Sequence, residues 1–293
     1  MKGSYAPLPP QAPVLAGGGG RLALVIGAGG AAAAAGVGAH RALTRAGVEV
    51  GLLVGSSSGG VVAAALALGW APETVEAVLR RLWVPAVARG ARLRAAVRLA
   101  LPRLRAEPAF ALVDGAALDE RVRRAFGDVT FDDLQVPLVI AATDLATGER
   151  VELDSGSVAG AVRASMAVPL LFPPLEAGGR LLVDGAISDP FPVLTAVGHG
   201  ARAVVALAFQ SEAPATARSA LGAVLRAHAA AANNLLRVAA AYQELAGAVP
   251  LLRLELDARG HAGLFDGAAV GASIALGEEA MRAEIATLER LMA

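Results

Sequence analysis

Short apolar runs recur along the chain and alternate with segments whose apolar residues follow a helical spacing. The runs predict strands at Leu22–Ile26, Val50–Val54, Pro137–Ala142, Arg150–Leu153, Leu181–Val183, Ala203–Phe209 and Leu251–Leu256. Helices are predicted from the Gly/Ala stretch after the first strand to Arg45, from Pro72 onwards, between Ser157 and Pro169, over about Arg218 to Ala246, and over Ser273–Met292. This alternation is typical of an α/β protein with a mostly parallel central sheet.

Length and composition suit one globular domain. The chain has 293 residues, and 55% of them are hydrophobic, so it can bury a large core. Residues 1–20 carry four prolines and end in four glycines, which predicts a flexible leader without the apolar core of a signal peptide. We therefore expect a single domain over residues 21–293.

Charge and cysteine content exclude several kinds of chemistry. The formal net charge is zero, so no overall field favours nucleic acid, and we expect no nucleic-acid partner. The chain contains no cysteine, which excludes disulfides, thiol catalysis and thiolate metal sites. The absence of cysteine does not fix the compartment; we expect a cytoplasmic protein, with peripheral contact with a membrane as an alternative.

The segment Gly55-Ser56-Ser57-Ser58-Gly59 follows the second predicted strand and precedes a helical, apolar stretch. A G-x-S-x-G sequence between a strand and a helix is typical of a nucleophile elbow, which presents Ser57 at the tip of a sharp turn. Gly55 and Gly59 matter because side chains there would crowd the turn. The alternative interpretation is a Ser/Gly-rich turn without chemistry, and the strand and helix context favours catalysis.

A second glycine-rich loop, Gly27-Ala28-Gly29-Gly30-Ala31, directly follows the first predicted strand. Consecutive small residues let backbone N–H groups face a ligand, either an oxyanion or a phosphate. A dinucleotide fingerprint starting at Gly27 requires a glycine where Ala32 stands, and no Walker lysine follows. The oxyanion interpretation is the stronger of the two.

A serine nucleophile needs a base, and the sequence offers both histidines and a carboxylate. The four histidines are His40, His199, His228 and His261, and each by itself is better explained as a structural or solvated residue. The order Ser-Asp-His is available with His228 or His261 as the last member. Asp184 ends a predicted strand, where α/β sheets place their functional sites.

Taken together, these segments resemble the bacterial branch of the patatin-like phospholipase family over roughly residues 22 to 209. The matching blocks, in the order typical of the family, are Leu24–Ala31, Gly55–Gly60, Ala142–Leu145 with Ala161–Pro169, and Val183–Ala186 followed by Pro192.

The resemblance implies a three-layer α/β/α fold and hydrolysis of fatty acyl esters without a metal or other cofactor. It implies a catalytic dyad in which Ser57 is the nucleophile and Asp184 is the base. It also implies that backbone N–H groups of Gly29, Gly30 and Ala31 bind the oxyanion.

The chain departs from the family in the glycine loop. Ala32 and Ala33 stand where the family usually has a basic residue and then glycine, and Asp189 stands where it usually has asparagine. Two alternatives therefore stay open beside the dyad hydrolase. One is a non-catalytic, lipid-binding relative, and the other is an esterase with a Ser-Asp-His triad.

A basic segment suggests a contact with lipid. Residues Arg89–Arg105 contain six arginines and no acidic residue, with an apolar stripe at helical spacing. One interpretation is an interfacial helix that brings an acyl hydrolase to its lipid substrate at the membrane surface. The other, which we favour, is an ordinary helix with a solvated basic face, and Pro102, which would interrupt a helix, further weakens the interfacial interpretation.

Overall fold

A computed structural model of the chain describes residues 21–83, 111, 115–209, 220–247, 249–257 and 266–293. Its strands are β1 (Arg21–Ile26), β2 (Leu52–Ser56), β3 (Leu138–Asp144), β4 (Arg150–Leu153), β5 (Leu175–Ala177), β6 (Arg180–Asp184), β7 (Ala201–Phe209) and β8 (Leu251–Leu256). The helices of the described part are α1 (Ala35–Arg45), α2 (Ser58–Ala67), α3 (Pro72–Leu82), α4 (Gly115–Phe126), α5 (Val158–Ser165), α6 (Val193–Gly198), α7 (Ala220–Ala246) and α8 (Val270–Met292). Short 3-10 turns cover Gly30–Ala34, Phe131–Asp133 and Gly185–Ile187.

The strands form one sheet in the order β5-β6-β3-β2-β1-β7-β8, with β4 paired to β3. The central pairs β3-β2, β2-β1, β1-β7 and β7-β8 are parallel, whereas β4, β5 and β6 pair in antiparallel fashion. The predicted mostly parallel sheet is therefore confirmed.

One edge of β3 is shared by two strands. β2 pairs with the first part of β3, as far as Ser56 opposite Ala141, and β6 pairs with the next residues, beginning with Asp184 opposite Ala142. β4 pairs with residues on both sides of this junction, so β4 occupies the other edge of β3. The ends of β2 and β6 therefore meet on the same edge.

Helices cover both faces of the sheet. Leu24, Ile26 and Leu53 point into a core on one face that includes apolar residues of α1, α2 and α8. Ala23 and Val25 point to the opposite face, where α6 and α7 contribute buried residues. This confirms the expected three-layer α/β/α arrangement.

The sequence missed some elements and misplaced some ends. It did not predict α4, α6 or β5. α6 and β5 are short, with six and three residues, whereas α4 buries Leu118, Val122 and Phe126 at a helical spacing that the sequence already carried. β2 ends at Ser56 rather than Val54, because Gly55 and Ser56 continue the ladder with β3. β3 likewise continues beyond Ala142 to Asp144, where β6 extends its pairing. The division at residue 20 stays a prediction, since residues 1–20 lie outside the described part.

Two glycines allow α1 and α8 to approach each other closely. A Cβ atom added to Gly277 of α8 would lie 2.0 Å from the Ala35 carbonyl oxygen. A Cβ on Gly38 of α1 would lie 1.9 Å from the Ile274 carbonyl oxygen. Both neighbours are backbone atoms, so neither contact can be relieved by a side-chain rotation. The close packing of α1 on α8 therefore requires glycine at both positions.

We expect Gly277→Ala to lower the free energy of unfolding by about 1–3 kcal/mol, because overpacking forces the two backbones apart. Gly198→Ala is the matched control, since a Cβ on Gly198, also helical, meets nothing within 4 Å. Thermal and urea melts of both variants measure the difference. Equal stability of the two variants would contradict this account of the α1–α8 contact.

Candidate active site

Ser57 lies at a sharp turn between the end of β2 and the start of α2. Its backbone has φ 54° and ψ −126°, a conformation that a residue with a side chain adopts only under strain. A Cβ on Gly55 would lie 2.5 Å from the Gly59 carbonyl oxygen, and a Cβ on Gly59 would lie 2.0 Å from the Ile26 carbonyl oxygen. The predicted elbow therefore has both the strained serine and the glycines that its close contacts require.

Asp184 lies beside this serine because β6 ends where β2 ends. The Ser57 hydroxyl donates a hydrogen bond of 2.8 Å to Asp184 Oδ2. The other carboxylate oxygen, Oδ1, accepts the Ala186 N–H at 2.8 Å. Asp184 is only 1% exposed, so its carboxylate is held at a fixed orientation in a site shielded from water.

Burial raises the pKa of Asp184 above its ordinary value, since removal from water disfavours the ionised form. Three interactions partly offset this effect: the hydrogen bond from the Ala186 N–H, an electrostatic interaction with His228 and the hydrogen bond from the Ser57 hydroxyl. A raised pKa makes the carboxylate a stronger base than an exposed aspartate. This is the property that the partner of a serine nucleophile needs.

The glycine-rich loop contacts the elbow through a side chain of α2. The Gly29 N–H donates a 3.2 Å hydrogen bond to Ser58 Oγ, which ties the loop to the residue after Ser57. The next two amides, of Gly30 and Ala31, have no hydrogen-bond acceptor within the described part of the chain. Of the three predicted oxyanion donors, Gly30 and Ala31 are therefore the two whose N–H groups are available to bind a ligand.

Ser165, which sequence reasoning did not single out, supports the strained turn. Its side chain is fully buried, and its Oγ accepts the Ser57 N–H at 2.7 Å while donating to the Ala141 carbonyl at 2.6 Å. The hydroxyl thus joins the elbow to β3. The sequence signal was its place within the block Ala161–Pro169 that resembles the family.

The chain after Asp184 is held by polar residues of β3 and the following turn. Thr143 Oγ1 lies 2.9 Å from the Asp184 carbonyl oxygen and 2.8 Å from Ser188 Oγ. A Cβ on Gly185 would lie 2.2 Å from the Ala141 carbonyl oxygen, so the turn passes directly against β3. These contacts fix the backbone on which the carboxylate is carried.

A charged cluster anchors the same segment further on. Arg150 of β4 donates to Asp189 at 2.9 Å and to Glu152 at 2.9 Å, and His199 Nε2 lies 2.9 Å from Glu152. Burial raises the pKa of Asp189, while the hydrogen bond to His199 lowers the pKa of Glu152. Asp189, noted as a departure from the family, therefore has an ionic partner in Arg150.

The histidines do not complete a triad by direct contact. His228 of α7 is half-buried and its charge influences Asp184, but within the described residues no histidine is hydrogen-bonded to Ser57 Oγ or to the Asp184 carboxylate. His199 is bound to Glu152, and His40 is a half-buried residue of α1. His261 and the basic segment Arg89–Arg105 lie outside the described residues.

The two alanines by which the glycine-rich loop departs from the family lie in the hydrophobic core. Ala32 is 3% exposed and Ala33 is fully buried, and both belong to the main core cluster. An arginine at position 32 would therefore have to bury its guanidinium among apolar residues. The two alanines fit the packing of this core.

The fold and the site define an α/β protein with a serine elbow and a buried carboxylate at the end of a mostly parallel sheet. A family model described as patatin-like phospholipase matches residues 24–197. The chain belongs to the patatin-like phospholipase family.

Individual relatives agree with this membership. An uncharacterized NTE family protein of Mycobacterium tuberculosis is 30% identical over 207 residues, which cover 68% of this chain and 52% of that protein. Patatin-like phospholipase domain-containing protein 6 of Mus musculus is 32% identical over 192 residues, which cover 64% of this chain and 13% of that protein. The chain thus spans about half the length of the mycobacterial relative.

A solved structure, VipD from Legionella pneumophila, aligns with a TM-score of 0.48 at 14% identity. The alignment covers 92% of this chain and 67% of that one.

We expect Ser165→Ala to lower the free energy of unfolding by about 1–3 kcal/mol, because the buried Ser57 N–H and Ala141 carbonyl lose their partner. Ser56→Ala is the matched control. Ser56 is also a fully buried serine, but its Oγ has no hydrogen-bond partner within the described residues, so its loss should be nearly neutral. Chemical unfolding of both variants makes the comparison, and a neutral Ser165→Ala would show that the elbow does not depend on this hydroxyl.

Asp184→Asn should stabilise the protein, and increasingly so as the pH rises. The pKa of Asp184 is raised in the folded state, so wild-type protein loses stability as the pH rises through that pKa. Asparagine has no charge to bury. The gain in Tm over wild type should be clear near pH 8 and shrink as the pH falls towards about 4, the ordinary pKa of an aspartate. A gain independent of pH would show that burial of the charge is not its cause.

Proposed function

We propose that the protein is a serine acyl hydrolase that cleaves fatty acyl esters of lipids through a Ser57–Asp184 dyad. The observation that carries this proposal is the 2.8 Å hydrogen bond from the Ser57 hydroxyl to Asp184 Oδ2 at a strained elbow. The bond joins a nucleophile directly to a base, without an intervening imidazole. Membership of the patatin-like phospholipase family supports the same reaction class.

The first half of the reaction forms an acyl-enzyme. Ser57 Oγ attacks the ester carbonyl while its proton moves to Asp184 Oδ2. The negative charge that develops on the carbonyl oxygen is stabilised by the N–H groups of Gly30 and Ala31, with Gly29 held by Ser58 as part of the loop. Asp184 then gives the proton to the departing alcohol.

The second half regenerates the serine. Water attacks the acyl-enzyme and transfers a proton to Asp184, which returns it to Ser57 Oγ as the fatty acid leaves. Only one carboxylate oxygen takes part, because Oδ1 is occupied by the Ala186 N–H. This bond keeps Oδ2 directed at the serine through both halves.

Two exposed leucines near the site support an apolar substrate. Leu145 and Leu181 are 49% and 47% exposed, and the Leu145 N–H donates to the Leu181 carbonyl at 2.8 Å. Leu145 follows Asp144 at the end of β3, three residues beyond Ala142, which pairs with Asp184. The pair therefore lies on the order of 10 Å from the carboxylate along the strand.

Contact with a membrane would complete this function, and the candidate segment is Arg89–Arg105. Membrane contact through this segment is proposed from the sequence alone, because the segment lies outside the described residues. Within the described part of the chain, no helix is both long and apolar enough to cross a membrane.

Ser57→Ala and Asp184→Asn should each reduce hydrolysis of an acyl ester at least about a thousandfold, because members of one catalytic unit fail together. Hydrolysis of p-nitrophenyl esters of increasing chain length and labelling by a fluorophosphonate probe measure the loss. Ser56→Ala is the control, with expected rates near wild type. A folded wild-type protein that neither reacts with the probe nor hydrolyses any ester would favour the non-catalytic, lipid-binding alternative.

The triad alternative has one observation in its favour, the effect of the His228 charge on Asp184. His228→Ala separates the two mechanisms. A dyad predicts a rate within about tenfold of wild type, because the histidine contributes only through its charge. A loss as large as that of Asp184→Asn would replace the dyad with a triad.

A further inference from the structure

The outward face of α7 is mostly apolar at the positions whose side chains are described. α7 has 27 residues, and eleven of those whose side chains are described are exposed. Nine of the eleven are Ala, Val, Leu or Tyr, and only Asn234 and Arg237 are polar. Leu236 packs against the core of the sheet, so α7 presents an apolar face to solvent in addition to the one that it buries, which is typical of a helix that is covered on both sides.

The larger exposed side chains form a regular stripe. Val224, Leu235, Val238 and Tyr242 are 48%, 37%, 66% and 56% exposed. Together with Ala231 and the half-buried His228 they follow the spacing 4, 3, 4, 3, 4 in the sequence. Spacings that alternate between 4 and 3 residues keep all six positions on one side of the helix, as in helices that pack lengthwise against each other.

The stripe is also symmetric about residue 233, so that it matches a reversed copy of itself. In an antiparallel pair centred there, Val224 lies level with Tyr242 of the second copy, Ala231 with Leu235, and His228 with Val238. The smaller residue of each pair then faces the larger one, Ala231 facing Leu235 near the middle and Val224 facing Tyr242 at the ends. We propose that this face of α7 binds α7 of a second copy of the chain, antiparallel and with two-fold symmetry.

Charge favours a second copy over a lipid surface. An interfacial helix carries a strongly charged face beside its apolar one. Here Arg237 is the one charged residue among the exposed positions described in α7. In the antiparallel pair Arg237 and Arg226 lie level with Ala229 and Ala240 of the other copy, not with each other.

The pairing reaches the candidate active site, although it does not depend on ester hydrolysis. α7 contacts the turn Gly185–Ile187 that follows Asp184. His228, whose charge acts on Asp184, belongs to the stripe. The second copy would therefore place Val238 against His228, a residue that interacts electrostatically with Asp184.

Sedimentation analysis over a range of concentrations tests the pairing, with the full chain of 29.3 kDa. We expect a reversible dimer of wild type. Val238→Asp should raise the dissociation constant at least about tenfold, because it places an unpaired charge in the interface. Met292→Asp is the matched control, since Met292 is an exposed apolar residue of α8, 48% exposed, and should leave the dimer intact.

Disulfide trapping tests whether the two helices pair antiparallel. Because the chain has no native cysteine, any crosslink must involve the introduced one. A mixture of Ala231→Cys and Leu235→Cys proteins, distinguished by a mass tag, should give a crosslinked heterodimer under oxidation. Each protein alone should crosslink far less. Efficient crosslinking of each alone would indicate a parallel pair and overturn the proposed geometry.

The same variants distinguish a second copy of the chain from a lipid membrane as the partner of the α7 stripe. If wild type stays monomeric over the whole concentration range, the proposal is overturned. Binding to phosphatidylglycerol vesicles that is lost in Val238→Asp but kept in Met292→Asp, by a protein that does not dimerise, would assign the stripe to lipid instead.

Discussion

The site depends on how two strands divide one edge of β3. β2 uses the edge as far as Ala141 and then turns away, and β6 arrives from the opposite direction and uses the edge from Ala142 onwards. The turn into α2 presents Ser57, and the end of β6 presents Asp184, so both side chains emerge at the same junction. Their 2.8 Å hydrogen bond follows from the ladder register. A shift of β6 by one residue would turn the carboxylate to the other face of the sheet.

The close contacts around this junction explain the small residues that surround it. Gly55, Gly59 and Gly185 each stand where a Cβ would collide with backbone. Ser165 and Thr143 supply hydroxyls that bind backbone groups of Ser57 and Asp184. The hydrogen-bond capacity of the buried backbone is thereby met by side chains short enough to fit.

Much of this arrangement could be predicted from the sequence. The elbow around Ser57 and the strand that ends at Asp184 have local signals, namely glycine spacing and an apolar run followed by Asp-Gly. The strands of the parallel part could be predicted because parallel strands are buried on both faces and therefore appear in the sequence as continuous apolar runs. The antiparallel part was harder, since β5 is three residues long and depends on its partner β6.

Other features had no local signal. Nothing next to Ser58 in the sequence shows that its hydroxyl binds Gly29, because the contact joins residues 29 apart in the chain. Ser165 is 108 residues from the elbow that it supports. Arg150 on β4, the ionic partner of Asp189, is 39 residues away. Tertiary contacts of this kind follow only from the assembled sheet.

The separation of Ser57 from Asp184 has a consequence for folding. The two residues are 127 positions apart, and both β2 and β6 must pair with β3 before the carboxylate reaches the hydroxyl. Contacts that close such long loops are slow to form. A chain still emerging from the ribosome, or one folded only through β3, therefore presents Ser57 without Asp184. Under the proposed function, immature chains would stay inert towards the lipids around them until the sheet is complete.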